Sequence, residues 1–100
     1  MVVVDRGYSE KFGEIDLIAV DERTVVFVEV KTRSSDFAGA PVEAVDGAKQ
    51  EKISRVATSF IKRHGLHDCR CRFDVVAIEL ESHASKPTIR YFENAFEASE

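Results

Sequence analysis

A chain of 100 residues amounts to one domain, long enough to bury roughly 60–70% of the surface it exposes when unfolded. Its 44% hydrophobic and 32% charged content is that of a globular protein, and a net charge of −4 excludes a general attraction to nucleic acid, so any such binding needs a local basic patch. No apolar run reaches membrane-spanning length, and Met1-Val2-Val3-Val4 is too short for a span or a signal peptide.

The first residues, Val2 to Val4, predict a short strand, and Asp5 to Lys11, polar and containing Gly7, predicts a turn. Two strong strands follow. Glu14-Ile15-Asp16-Leu17-Ile18-Ala19-Val20 and Val25-Val26-Phe27-Val28-Glu29-Val30-Lys31 flank the short polar stretch Asp21 to Thr24, which is the pattern of an antiparallel hairpin. A two-residue turn at Glu22-Arg23 sets Val20 against Val25, Asp16 against Glu29 and Glu14 against Lys31. Strict alternation then gathers Ile15, Leu17, Ala19, Val26, Val28 and Val30 on an apolar face, the expected core. The other face is apolar near the turn (Ile18, Val20, Val25, Phe27) and ionic at its far end.

Opposed residues in such a pair have Cβ atoms about 5 Å apart, where like charges repel. Two facing carboxylates in mid-hairpin are explained by a divalent cation. Oxygen ligands suit Mg²⁺ or Mn²⁺, which complete their shells with water and substrate phosphate. Lys31, on the same face, is placed to hold or activate the attacking water or to offset charge on a phosphate. The commoner meaning of such a pair is a solvated ladder of charges at a strand end.

Thr32 to Gly39 predicts a loop. A helix is expected to start at Pro41 or just after Asp46 and to run to about His64, with Gly65 as its stop. At 100° per residue Ile53, Val56 and Phe60 fall within about 40° of Lys49, so Lys49 lies on the apolar stripe near the helix N-terminus. A cation there opposes the helix dipole unless it reaches an anion, snorkelling to solvent being the plain alternative. Gln50 and Lys52 flank it, and Lys52, Arg55, Lys62 and Arg63 offer a modest phosphate-contacting surface. Cys71 to Leu80, apolar on both faces, predicts an interior strand, reached by a right-handed parallel crossover. Glu81 to Pro87 predicts a turn, Thr88 to Phe92 an edge strand, and Asn94-Ala95-Phe96 a final helical turn before a frayed tail at 97–100.

Cys69 and Cys71 are too close in one strand for a relaxed disulfide, and no other cysteine exists, so a reducing cytoplasm is the expected location. Their spacing with His64 and His67 matches no common structural zinc pattern. The chain carries no repeat, no Gly-rich phosphate loop and no Ser-His-Asp arrangement. The element order β-β-β-α-β-β thus predicts a single α/β domain over 1–100 with a mixed sheet.

Asp16, the Glu29-x-Lys31 triplet and a helix bearing Lys49-Gln50 resemble the PD-(D/E)XK nuclease pattern. The longer strings Gly13-Glu14-Ile15-Asp16-Leu17-Ile18-Ala19, Val26-Phe27-Val28-Glu29-Val30-Lys31-Thr32-Arg33, Lys49-Gln50-x-Lys52-Ile53, Arg72-Phe73-Asp74-Val75-Val76 and Asn94-Ala95-Phe96 closely resemble the YraN family, from about residue 2 to 96. That resemblance implies a restriction-endonuclease-like fold, similar to Holliday-junction resolvases, and a Mg²⁺- or Mn²⁺-dependent endonuclease site. It implies Asp16, Glu29 and the Val30 carbonyl as metal ligands and Lys31 at the water. It also implies Lys49 or Gln50 near the scissile phosphate, with Arg33, Lys49 and Lys52 contacting nucleic acid. DNA, branched DNA included, is the implied substrate, and a homodimer the implied assembly. Members of this fold usually open with a helix packed on the sheet. This chain starts inside the first strand, so that helix is expected to be missing and sheet surface left uncovered. The alternative is a non-catalytic nucleic-acid-binding or protein-interaction module on the same fold.

Overall fold

The hydrophobic pattern resolves into one mixed sheet with a helix on one face, an α/β fold. The computed structural model describes residues 1–34, 45–80 and 86–98, the side chains of Arg33 and Ser34 excepted. The elements are β1 (Val2–Glu10), β2 (Gly13–Asp21), β3 (Thr24–Ser34), α1 (Gly47–Arg63), β4 (Arg70–Leu80) and β5 (Thr88–Phe96). Spatial order follows chain order, β1-β2-β3-β4-β5. β3 and β4 run parallel while the other neighbours run antiparallel, as a helical crossover between two meanders requires.

The central hairpin has the expected turn, with Val20 opposite Val25, Asp21 opposite Thr24, and Glu22 at φ 56°. α1 begins after Asp46, whose Oδ1 accepts the Lys49 N–H at 2.9 Å as an N-cap. It ends at His64, followed by Gly65 at φ 63°, the left-handed conformation that glycine adopts without a Cβ clash. Pro41, the other candidate start, lies outside the described residues, as do 35–39 of the expected loop and 81–85 of the expected turn, while Thr32 to Ser34, expected to open that loop, end β3 instead.

Three expectations are corrected. β1 is not confined to Val2–Val4. It runs to Glu10, with a register shift between Val3 and Asp5 and with Gly7 at φ 62° absorbing the bend that polar composition suggested was a turn. Asn94-Ala95-Phe96 forms no helical turn. These residues end β5, where Asn94 at φ 53° makes an irregularity that brings Phe96 opposite Phe73. The main core, finally, lies on the face opposite to the one expected. Val25 and Phe27 of β3 pack with Ile18 of β2, Phe73 and Val75 of β4, and Ile53, Val56 and Phe60 of α1. Burial of such side chains contributes roughly 1.5–3 kcal/mol each, and the aromatic rings define the assembly. Phe27 stacks on Phe73 at 5.5 Å between centroids and meets Phe60 edge-on at 6.0 Å. The face expected to be core holds a smaller cluster of Ala19, Val26 and Val28. Ile15 joins Ile18 in the main core, which strict alternation forbids. β2 therefore departs from regular alternation between them, at the segment containing Asp16.

On that second face Asp74 of β4 is fully buried. It accepts from Arg72 Nε at 3.0 Å, from the Asn94 N–H at 2.9 Å and from the Tyr91 hydroxyl, which ties β4 to the irregular end of β5. Arg72 also reaches Asp21 at 3.4 Å and Glu93 at 3.1 Å. Burial, then the hydrogen bond to Asp74, pushes the Tyr91 hydroxyl up to about 12.

Candidate functional site

The apolar part of β3 is covered by α1, and its ionic end emerges where that helix begins. A cleft of about 570 Å³ opens there, lined by Asp16 and Glu29 from the sheet, Lys49, Lys52 and Ile53 from the helix, and Gly13 and Glu14 from the start of β2. Asp46 and Ala48 complete its wall, so the helix N-terminus faces into it.

Asp16 and Glu29 reach the cleft by different means. The β2–β3 ladder runs from Asp21 opposite Thr24 to Leu17 opposite Val28. Beyond it the Asp16 carboxylate accepts the Val30 N–H at 2.8 Å, so a side chain takes over a ladder position. The expected facing of Asp16 and Glu29 becomes a convergence on one cleft, and Glu14 and Lys31 form no ladder pair. Glu29 follows Phe27 on the helix-covered face, and its side chain is only 7% exposed. Burial first, and the charge of Asp16 second, push its carboxyl above the usual range, with Lys49 pulling the other way.

Two ammonium groups meet that carboxylate. Lys49 Nζ lies 3.2 Å from Glu29 Oε1, and Lys31 Nζ lies 3.9 Å from the same oxygen. Lys49 thus does not snorkel away: the helix phase that puts it on the stripe of Ile53, Val56 and Phe60 delivers it to Glu29. Lys31 is pushed below the ordinary lysine range, first by the neighbouring Lys49 and then by burial. Lys49 is pushed up by its coupling to the neighbouring Lys31, against burial, with the charge of Glu29 adding to it.

The remaining residues singled out by sequence divide. Lys52 lines the cleft. Gln50 Nε2 donates to the Val45 carbonyl at 2.8 Å, bracing the entry to the helix. The Arg33 side chain lies outside the described residues. Cys69, partly buried, and Cys71, exposed, are free thiols, and burial pushes the Cys71 thiol up. Among the described residues no three His, Cys, Asp or Glu side chains converge as a metal-binding group. Gly13 also lines the cleft, a role its sequence pattern does not announce. A Cβ there would lie 3.3 Å from Val56 Cγ2 and 3.7 Å from Lys52 Cβ, so its bareness sets the distance between hairpin and helix at the cleft. Its position just before the first strong strand is the one sequence signal for that spacing.

The family model described as uncharacterised protein family UPF0102 matches residues 1–78. The chain belongs to this family. The resemblance to YraN proteins in its motifs is thereby borne out. A UPF0102 protein of Rhodococcus jostii (strain RHA1) is 44% identical over 96 residues, covering 96% of this chain and 80% of the relative. A UPF0102 protein of Geotalea uraniireducens (strain Rf4) is 44% identical over 95 residues, 95% of this chain and 74% of the relative. One from Desulforapulum autotrophicum is 45% identical over 95 residues, 95% of this chain and 77% of the relative. Among the described residues no helix is long and apolar enough to cross a membrane.

Proposed function

We propose that this UPF0102 protein is a divalent-metal-dependent endonuclease of restriction-endonuclease-like fold, hydrolysing phosphodiester bonds of DNA in the cleft at the start of α1. The observation that carries the reading is the meeting of a buried Glu29, Asp16 and two ammonium groups in one open cleft. A surface ladder of charges would leave Glu29 solvated, whereas it is among the few buried charged residues of the described chain. Two carboxylates held together at an opening suit a hard cation that keeps part of its shell for water and phosphate.

Asp16, Glu29 and the Val30 carbonyl would hold Mg²⁺ or Mn²⁺, which when bound polarises the phosphate and acidifies water. The chain's own groups supply the rest. Lys31, with its Nζ 3.9 Å from Glu29 Oε1, stands beside the carboxylates where it can orient the attacking water. Lys49 and Lys52 offer positive charge to the scissile and flanking phosphates, as does the helix N-terminus. The Val30 N–H bond fixes Asp16 against β3 and keeps the two carboxylates in register. The test is cleavage of linear, flapped and four-way-junction DNA with Mn²⁺ or Mg²⁺. Asp16→Ala and Glu29→Ala should each abolish cutting while leaving the circular dichroism spectrum intact. If both variants cut like the parent, the assignment is wrong.

A second reading is favoured by the net charge of −4 and by the absence of a three-residue metal group among the described residues. It makes the chain a nucleic-acid-binding or protein-interaction module without chemistry. That module would bind DNA in a salt-sensitive manner, indifferent to metal and without turnover.

A further inference from the structure

Lys49 sits where the helix least favours a cation. It is the third residue of α1, its N–H held by the Asp46 cap, and the first turn contains no acidic residue. Positive charge at that end of a helix is unfavourable. Its partner is unusual too, since Glu29 is buried beside Asp16 and both carboxylates open on the same cleft. Two neighbouring carboxylates, one of them buried, need a positive charge close by. Lys49 supplies it from 3.2 Å, while Lys31 stands off at 3.9 Å. Lys49 is also the more exposed of the two, Lys31 being 26% exposed. It projects across the cleft from the helix, with its side chain 40% exposed, and the cleft has room for its ammonium to swing.

We propose that Lys49 is a resident stand-in cation: it neutralises Glu29 in the metal-free protein, competes with the divalent ion for that carboxylate, and is released toward substrate phosphate when the ion binds. The inference rests on the metal-dependent reading above and adds a coupling to it. The Lys49–Glu29 pair stabilises the metal-free fold and by the same interaction weakens metal affinity. Loading the site then delivers a free ammonium to the cleft at the moment a phosphate needs one.

The test is calorimetric titration of Mn²⁺ into the chelator-treated chain and into Lys49→Met, Lys49→Arg and Asp16→Ala, with thermal melts of each before and after addition of saturating Mn²⁺. Lys49→Met should melt lower than the parent without metal, bind Mn²⁺ about threefold to tenfold more tightly, and close the gap in melting temperature once loaded. Lys49→Arg, which keeps the charge, should bind within about twofold of the parent, separating charge from side-chain shape. If Mn²⁺ binds the parent and not Asp16→Ala, but binds Lys49→Met no more tightly than the parent, the stand-in role is overturned and the metal site stands. If neither the parent nor Lys49→Met binds Mn²⁺, the metal-dependent reading fails and the stand-in role fails with it. Binding by Lys49→Met alone, lost again when Asp16→Ala is added, would be the strongest support.

Discussion

The Asp16 carboxylate accepts the backbone N–H of Val30 at 2.8 Å, just past the end of the regular β2–β3 ladder. One side chain thus continues the pairing of the hairpin and at the same time holds a carboxylate at the cleft. Asp16→Ala removes the acceptor and should cost about 1 kcal/mol for the lost bond, less whatever is regained when Glu29 no longer faces a second charge. Asp16→Asn keeps an acceptor oxygen and should stay close to the parent in stability while losing metal binding. Urea denaturation separates the two. Equal stability of the Ala and Asn variants would mean that the bond contributes nothing to the fold.

Glu29 makes stability depend on pH in a direction opposite to that of a salt-bridged surface carboxylate. Its carboxyl holds a proton to higher pH in the folded chain than in the unfolded one. Between the ordinary carboxyl value and the raised one the folded state binds more protons, so this group's contribution falls as pH rises through that window and is flat above it. Lys49 counters the shift. Lys49→Met should therefore extend the loss to higher pH, and its deficit in melting temperature should be larger at pH 8 than at pH 5 in metal-free buffer. A deficit constant across that range would remove Glu29 from the explanation.

Gly13, at the start of β2, packs closely against Val56 and Lys52 of α1. The added methyl of Gly13→Ala would press on Val56, which is fully buried and stiff at χ1, at 3.3 Å. We expect a loss of about 1 kcal/mol for Ala and more for Val, in the range usual for overpacking. Because Gly13 also lines the cleft, the same variants should weaken Mn²⁺ binding. Unchanged thermal stability in Gly13→Val would show that the hairpin moves freely against the helix.

Asp74 is a buried charge with several donors, and its removal should be among the most damaging single changes in the chain. Asp74→Ala takes the buried acceptor from the Tyr91 hydroxyl and the Asn94 N–H and breaks the tie between Arg72 and the sheet interior. A loss of about 3–5 kcal/mol is expected for breaking one side of such a network. Tyr91→Phe removes one donor and should lose about 1–2 kcal/mol. Chemical denaturation of the two variants checks the order. A mild Asp74→Ala would mean that Arg72 is held well enough by Asp21 and Glu93 alone.

Much of this architecture was legible in the chain. Val20 opposite Val25 follows from the turn at Glu22-Arg23, the N-cap from Asp46, the helix stop from Gly65, and the parallel pairing of β3 with β4 from a helical crossover. Each is local, set by a few neighbouring residues. The errors were of another kind. Gly7 and Asn94 both take left-handed conformations inside strands, where their neighbours read as a turn or a helix end. Propensity cannot distinguish a bulge in a paired strand from a break, because the pairing that rescues it comes from a distant segment.

The charges on the inner strands, and the helical stripe that Lys49 shares with Ile53, Val56 and Phe60, are written in the order of the residues. Periodicity is enough for that. Which sheet face the helix covers is settled by packing between distant segments. Both faces of the hairpin are apolar over part of their length, so alternation favours neither strongly, and the choice falls to the fit of Phe27, Phe60 and Phe73 across three elements. That choice puts Glu29 under the helix N-terminus. It turns a row of charges on a strand into a buried carboxylate 3.2 Å from Lys49.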